Sequence, residues 1–213
     1  MPARRRPAPA VALLVRHGRT PTTGTVLPGR APGLHLSDVG RAQAEAAAGR
    51  IAALGKPPVA VYASPLERAV ETARPIASKL GLRVRIDKGL LECDFGDWTG
   101  KSLRLLARRR EWRTVQLLPA SFRFPGGESF VEMQMRMVDT LDRLAERHRG
   151  GTFVAVSHAD PIKAAVAATA GVPLDLFQRL VVSPCSVTAL VRDENANHVL
   201  CVNATSLGEL ALS

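Results

Sequence analysis

Short runs of predominantly apolar residues along the chain have the length of buried β-strands. Residues 11–15, 59–63 and 152–156 are almost uninterrupted, while residues 82–86 alternate arginine with apolar side chains. Strands that are apolar on both faces are typical of a parallel sheet covered by helices. The runs therefore predict the central strands of such a sheet.

Segments with helical character separate these strands. Residues 38–54, 65–80 and 128–149 have apolar positions at helical spacing, and residues 101–113 are also expected to be helical. Strand and helix alternate along most of the chain. This alternation predicts an α/β fold with a mostly parallel sheet.

Three polar residues are candidate N-caps of these helices. Ser37, Ser64 and Asp160 are the expected caps. Pro65 and Pro161 suit the first helical position, where a missing N–H is tolerated. Two of these helix starts lie just after predicted strands.

The remaining segments are predicted to be two loops and a hairpin that completes the sheet. Residues 21–36 form a long loop rich in Thr, Gly and Pro, and residues 90–100 form a loop with glycine hinges and exposed aromatic side chains. Ordered loops as long as the first are usually functional. Residues 186–191 and 198–202 are expected to form a hairpin that turns at Glu194-Asn195.

Length and composition favour a single soluble domain. The chain has 213 residues, and none of its apolar runs approaches a membrane span. We expect a disordered basic tail over residues 1–9 and one domain over residues 10–213. Cys93, Cys185 and Cys201 have no close spacing, which argues against a disulfide framework or a zinc site and for a reducing, cytoplasmic location.

Arginine dominates the net charge of +10, with 24 Arg against 5 Lys. Residues 4–6 form one cluster, and residues 108–110 with Arg113 form another. Such clusters bind nucleic acid in some proteins, but no aromatic residues interleave these for base stacking. We therefore expect solvated surfaces and no nucleic-acid partner.

Three of the predicted strands end in polar signatures. These signatures are Arg16-His17-Gly18, Ser64-Pro65 with Arg68, and Ser157-His158. The carboxyl ends of parallel strands share one edge of a sheet, which is where ligands bind. That edge would gather two arginines, two histidines and two helix N-termini. Convergent cations and free backbone N–H groups favour a tetrahedral anion such as phosphate.

A histidine beside a phosphoryl group can act as its nucleophile. A neutral His17 would attack phosphorus to give a phosphohistidine. One proton-transfer group contributes only about 10²–10⁴ in rate, so a cage of Arg16, Arg68 and His158 must stabilise the transferring charge. Glu92, in an apolar-flanked loop, is the candidate proton donor for the leaving group, because burial raises a carboxyl pKa.

Six sequence blocks occur in a fixed order along the chain. The blocks are Arg16-His17-Gly18-x-Thr20, Leu36-Ser37-x-x-Gly40-x-x-Gln43-Ala44, Ser64-Pro65-Leu66-x-Arg68-Ala69-x-x-Thr72-Ala73, Glu92-x-x-Phe95-Gly96-x-Trp98-x-Gly100, Pro125-Gly126-Gly127-Glu128-Ser129 and Ser157-His158. In kind and order they resemble the histidine phosphatase superfamily of phosphoglycerate mutase type. The resemblance covers nearly the whole chain.

The resemblance implies both a fold and a mechanism. The fold is a three-layer α/β/α sandwich with a mostly parallel central sheet. His17 is the implied nucleophile, in a phosphate pocket of Arg16, Arg68 and His158. Glu92 is the implied proton donor and then the base for the hydrolytic water. No metal and no other cofactor is implied.

The loop after the first strand supplies the expected substrate contacts. Gly18 and Thr20 are expected to bind the substrate. Where many family members have Asn, this chain has Thr23, whose hydroxyl can still donate to a phosphate oxygen. Residues 24–33 either shape specificity or form a plain surface loop.

Several functions stay open at this point. The leading hypothesis is a metal-independent phosphatase that acts on a small phosphorylated metabolite. A phosphomutase, which passes the phosphoryl group to a second hydroxyl, is less favoured because the chain is compact. A non-catalytic nucleic-acid-binding module on the same fold would show salt-dependent binding of DNA or RNA, and His17→Ala would cause no loss of p-nitrophenyl phosphate turnover. A homodimer is left open, and no membrane partner is expected.

Overall fold

One six-stranded sheet organises the computed structural model, which describes residues 8–193 and 197–206. The strands are β1 (Ala10–Arg16), β2 (Ala60–Ala63), β3 (Val84–Ile86), β4 (Thr152–Ser157), β5 (Val187–Arg192) and β6 (His198–Ala204). Their order is β3-β2-β4-β1-β5-β6. The first four strands pair in parallel, whereas β5 and β6 are antiparallel to their neighbours. The prediction of a mostly parallel sheet is confirmed.

Helices cover both faces of the sheet. They are α1 (Asp38–Ala52), α2 (Glu67–Lys79), α3 (Leu103–Leu106), α4 (Arg110–Leu117), α5 (Phe130–Arg147) and α6 (Ala159–Ala170). Successive β1 side chains point to opposite faces. Leu14 packs in the apolar cluster with α5 and α6, and Leu13 packs in the one with α1 and α2. The arrangement is the expected α/β/α sandwich.

Two of the three predicted helix caps are wrong. Ser37 caps α1 as predicted. However, α2 has Leu66 as its N-cap, and the Ser64 hydroxyl contacts the imidazole of His158 instead. The N-cap of α6 is His158, so Asp160 lies within the first turn. Neither Pro65 nor Pro161 occupies the first helical position. Ser64 and His158, which follow the ends of β2 and β4, instead contact each other in a buried polar cluster.

The loop after β3 is more buried than its composition predicted. Phe95 and Trp98 are each only 2% exposed, so the expectation of exposed aromatic side chains is wrong. Their ring centroids lie 4.9 and 5.5 Å from that of Phe124, inside a third apolar cluster. Burying a large apolar side chain stabilises a fold by about 1.5–3 kcal/mol. This gain in stability explains why the aromatic side chains are buried although the loop is rich in glycine.

The segment predicted as one helix over residues 101–113 forms two helices, α3 and α4. Leu106 and Val115 are both buried in the third apolar cluster. In one straight α-helix of 3.6 residues per turn, positions nine apart point in opposite directions. The break between α3 and α4 lets both side chains reach the same cluster.

The ends of the chain and one turn lie outside the described residues. These parts are residues 1–7, 194–196 and 207–213, which include most of the predicted tail and the turn at Glu194-Asn195. The carbonyl oxygens of Ala8 and Pro9 accept from the N–H of Gly150 at 3.1 and 3.2 Å. Strands β5 and β6 pair as the predicted hairpin. No helix in the described chain is long and apolar enough to cross a membrane.

The turn that leaves β1 packs backbone to backbone against α1. A Cβ on Gly18 would lie 2.5 Å from the carbonyl oxygen of Gly40, and a Cβ on Gly40 would overlap the carbonyl oxygen of Arg19. Only glycine permits such an approach. The contact fixes the backbone that directly follows His17.

We expect Gly40→Ala to destabilise the protein by about 1–3 kcal/mol, because the added methyl group overpacks a rigid backbone contact. Gly49 in the same helix is the matched control, since a Cβ there meets nothing within 4 Å. Gly49→Ala should stabilise the protein by about 0.5–1 kcal/mol. Urea unfolding of both variants measures the difference, and a Gly40→Ala protein as stable as the parent would refute the close contact.

Candidate active site

The carboxyl ends of β1, β2 and β4 bring the predicted polar residues together. Arg16 at the end of β1 lies opposite Ser157 at the end of β4. His17 and His158 are the next residues along the chain, and their ring centroids are 5.1 Å apart. Ser64 directly follows β2 and reaches the same cluster. Parallel pairing therefore places residues far apart in sequence around one site.

Hydrogen bonds define the tautomer of His17. Its Nδ1 lies 2.8 Å from the carbonyl oxygen of Gly18, which can only accept, so Nδ1 carries the proton. Its Nε2 accepts from the Nε of Arg68 at 3.2 Å. Burial and the charge of Arg68 lower the pKa of His17 to about 3. His17 is thus a neutral imidazole with a lone pair on Nε2.

Arg68 is fully buried, and its guanidinium bonds to one backbone carbonyl as well as to the His17 imidazole. Its Nη2 donates to the carbonyl oxygen of Gly29 at 2.8 Å. The hydroxyl of Thr72 donates to the Arg68 carbonyl oxygen at 2.7 Å and accepts from the N–H of Gly18 at 3.0 Å. Thr72 therefore ties the Arg68 helix to the turn that carries His17.

Three buried nitrogen atoms around His17 have no hydrogen-bond partner among the described residues. They are Nε of Arg16, Nη1 of Arg68 and Nδ1 of His158. Arg16 is anchored by Nη1, which donates to the carbonyl oxygen of Val182 at 2.6 Å. The Ser64 hydroxyl oxygen accepts from the N–H of Leu66 at 3.5 Å, which leaves its proton to donate to Nε2 of His158 at 2.8 Å, so that Nδ1 of the neutral ring carries the hydrogen. Buried donors without a partner carry a desolvation cost that an anionic ligand would relieve.

Nearby carboxylates offset only part of the positive charge of Arg16 and Arg68. Burial lowers the pKa of both Arg16 and Arg68, and the nearby carboxyl of Glu92 opposes that shift. Burial also holds the pKa of His158 well below its ordinary value, with a further contribution from Arg68. The site consequently combines two arginines with two neutral histidines.

Glu92 faces the arginines from the loop after β3. The residue is 8% exposed, and its Oε1 accepts from the N–H of Cys93 at 3.0 Å. Burial, followed by the charge of Asp160, raises the pKa of Glu92 to about 7, while Arg68 and Arg16 oppose the shift. A carboxyl with such a pKa can both donate and accept a proton near neutral pH.

The predicted substrate-binding residues of the first loop bond mainly to one another. Thr20 is buried, and its N–H donates to Thr23 Oγ1 at 2.9 Å. The two hydroxyl oxygens are 3.0 Å apart. Gly18 uses its N–H to bond Thr72. Thr23 therefore shapes the turn, and its contact with a substrate phosphate stays a prediction.

Four further residues take part in the cluster although the sequence did not identify them as site residues. Ser64 and Thr72 lie in one of the six sequence blocks, where the pattern predicts that Ser64 is a helix cap. Gly29 and Asp160 contribute through a carbonyl oxygen and a charge, respectively. Backbone oxygen atoms leave no signal in a single sequence. Among the described residues, no group of three His, Cys, Asp or Glu side chains is placed to hold a metal ion.

Comparison with known proteins gives several curated relatives. A bifunctional protein of Mycobacterium tuberculosis is 38% identical over 169 residues, which are 74% of this chain and 43% of that protein. The chain thus matches less than half of that relative's length. Phosphoserine phosphatase 1 of Hydrogenobacter thermophilus is 32% identical over 152 residues, which are 70% of this chain and 72% of that enzyme.

A solved structure has the same fold. The mycobacterial glucosyl-3-phosphoglycerate phosphatase superposes with a TM-score of 0.81 at 28% identity, over 92% of this chain and 99% of that one. The sequence model of the histidine phosphatase superfamily (branch 1) matches residues 12–205. The chain belongs to the histidine phosphatase superfamily, and its relatives include phosphatases.

Proposed function

We propose that this protein is a metal-independent phosphatase that hydrolyses a small phosphorylated metabolite through a phosphohistidine at His17. The observation that carries the proposal is the neutral His17, with its Nε2 lone pair among three unpartnered buried donors. A phosphoryl group placed there would meet a nucleophile and a set of hydrogen-bond donors together.

In the first half-reaction, Nε2 of His17 attacks phosphorus and the bond from phosphorus to the alcohol oxygen breaks. Nε of Arg16, Nη1 of Arg68 and Nδ1 of His158 supply hydrogen bonds to the equatorial oxygens of the phosphoryl group. Preorganised donors aimed at developing charge are usually the largest contribution to catalysis. The departing alkoxide takes the proton of the Glu92 carboxyl, which leaves Glu92 as a carboxylate.

In the second half-reaction, the Glu92 carboxylate accepts a proton from water as its oxygen attacks phosphorus. The bond between phosphorus and Nε2 breaks, inorganic phosphate leaves and His17 returns to its neutral form. The protonated Glu92 is then ready for the next substrate. A pKa of about 7 suits both roles, since a catalytic acid–base group works best near the operating pH.

The names of the relatives support a small phosphorylated metabolite as substrate. One is a phosphoserine phosphatase and another is a glucosyl-3-phosphoglycerate phosphatase. Both names identify phosphatases of small phosphorylated molecules. A phosphomutase would use the same phosphohistidine, so the fate of the phosphoryl group separates the two functions.

We expect a radiolabelled phosphate monoester to label the protein transiently and to release its label as inorganic phosphate. The label should be acid-labile and base-stable, as expected of a phosphohistidine, and His17→Ala should abolish it because the attacking nitrogen is lost. Rapid quenching followed by denaturing electrophoresis measures the label on the protein.

Two results would overturn the proposed function. Labelling that persists in His17→Ala would show a different nucleophile. Label that moves from one hydroxyl of a phosphoglycerate to another, with no inorganic phosphate released, would identify a phosphomutase.

The proton-donor role of Glu92 predicts both a pH profile and a dependence on the leaving group. For an alkyl phosphate, kcat/KM should fall as pH rises through about 7, because only the protonated carboxyl donates. His17, with a pKa of about 3, stays neutral across that range. Glu92→Gln should remove this limb of the profile and lower kcat/KM by about 10²–10⁴.

The control for Glu92→Gln is p-nitrophenyl phosphate, whose leaving group departs without a proton. Its kcat/KM should fall far less than that of the alkyl phosphate, since kcat/KM includes no step after the alcohol leaves. An equal loss for both substrates would rule out Glu92 as the proton donor.

A further inference from the structure

Two arginines outside the phosphate pocket hold the main chain of Glu92. Nε of Arg30, in the loop after β1, donates to the carbonyl oxygen of Glu92 at 2.9 Å. Nη2 of Arg136, on α5, donates to the same oxygen at 3.3 Å. Neither contact uses the Glu92 carboxyl, so both arginines fix the position of the residue without pairing with its acidic group.

Arg136 also holds the residues that precede Glu92. Its Nη1 donates to the carbonyl oxygens of Gly89 at 2.7 Å and Leu91 at 2.9 Å. Residues 91–95 belong to no helix or strand. Beside the backbone bond from the N–H of Glu128 to the carbonyl oxygen of Asp94 at 2.9 Å, side chains from elsewhere in the chain help to fix the orientation of this segment.

Glu128 lies between the two arginines and offsets one of their two positive charges. Its Oε1 is 2.8 Å from Nη2 of Arg30 and 3.0 Å from Nε of Arg136. Its Oε2 accepts from Nη2 of Arg136 at 3.0 Å and from the N–H of Asp94 at 3.1 Å. Asp94 adds a second carboxylate, 3.4 Å from Arg30. Two cations and two anions thus meet beside the Glu92 segment.

We propose that Arg30, Glu128 and Arg136, with Asp94 as the second anion, form a charge-balanced clamp that positions Glu92 as the proton donor without pairing its carboxyl. The clamp members are positioning residues, since they act through the backbone of Glu92. The inference rests on the proposed function of Glu92. The four side chains are 20–38% exposed, so water screens their charges incompletely.

Charged side chains on several elements act on the pKa of Glu92, and for that reason the clamp must be neutral. Arg16 at the end of β1 and Arg68 on α2 favour its carboxylate, while Asp160 on α6 favours its protonated form. The clamp adds charges from the loop after β1 and from α5. His17 and His158 are neutral. An unbalanced cation in the clamp would therefore draw the proton from Glu92.

The adjacent Cys93 lies within reach of clamp charges of both signs. Burial is the main cause that raises the pKa of the Cys93 thiol, and the negative charges of Glu92 and Asp160 follow. From the clamp, Glu128 adds to the rise and Arg136 opposes it. The two clamp charges therefore act in opposite directions at the residue next to Glu92.

The first test compares two arginines of α5. Arg136→Met removes three carbonyl contacts, and we expect kcat/KM to fall at least tenfold more for an alkyl phosphate than for p-nitrophenyl phosphate. Misplacing a catalytic group by about 1 Å can cost about 10²-fold in rate. Arg143→Met is the matched control: Arg143 lies on the same helix and pairs with Asp87 at 2.7 Å near the surface. It should leave the ratio of the two rates unchanged.

The second test reads the pH profile with the alkyl phosphate. Glu128→Gln leaves two cations against the single carboxylate of Asp94, so the limb near pH 7 should move to lower pH. Arg136→Met leaves an excess of negative charge, so the same limb should move to higher pH. Partial unfolding lowers the rate at every pH and for both substrates equally, and produces neither shift.

These measurements separate failure of the clamp from failure of the proposed function. If Glu92→Gln has the expected substrate dependence in the parent enzyme but Arg136→Met lowers both rates equally and shifts no limb, the clamp is refuted alone. If Glu92→Gln also lowers both rates equally, the proton-donor role is lost and the clamp with it.

Discussion

The burial of two guanidinium groups at one end of the sheet is the constraint on which the site depends. Arg68 is completely buried, and its side chain bonds to a carbonyl oxygen and an imidazole, with no carboxylate among its hydrogen-bond partners in the described part of the chain. Arg16 is anchored by a carbonyl oxygen in the same way. A buried cation is costly unless it is paired. An anion that enters the site would supply the missing pair.

Burial acts on the ionisable groups of this site in opposite directions. It keeps the histidines neutral, and it keeps a proton on the Glu92 carboxyl up to about pH 7. Opposed shifts of this kind separate a nucleophile from a proton donor. The balance is narrow for Glu92, because Arg16 and Arg68 pull its pKa down while Asp160 pushes it up. The positive charges of Arg30 and Arg136, which hold the main chain of Glu92, therefore have to be neutralised as well as correctly placed.

The sequence predicted the architecture and the principal residues of the site because both leave local signals. Apolar runs mark the strands, and Arg16-His17 and Ser157-His158 mark where strands end. Parallel pairing then brings those ends together. The apolar neighbours of Glu92 marked it as the candidate proton donor, and the order of six motifs supported that role. These signals concern side-chain types at fixed positions along the chain.

Other features depend on tertiary contacts and were missed for that reason. Ser64 has the composition of a helix cap, yet its hydroxyl serves a buried imidazole. Trp98 has a glycine-rich neighbourhood, yet it packs inside an aromatic cluster. Arg30 lies in what composition identifies as a loop of uncertain role, and its contacts to Glu92 and Glu128 appear only once the chain is folded.

The most direct test of the central claim is nitrogen-15 NMR of the His17 ring in the resting enzyme. The expected spectrum shows a proton on Nδ1, an unprotonated Nε2 and no titration between about pH 5 and 8. A ring that takes up a proton near its ordinary pKa of 6.5, or that carries its proton on Nε2, would contradict the claim that His17 is poised to attack phosphorus.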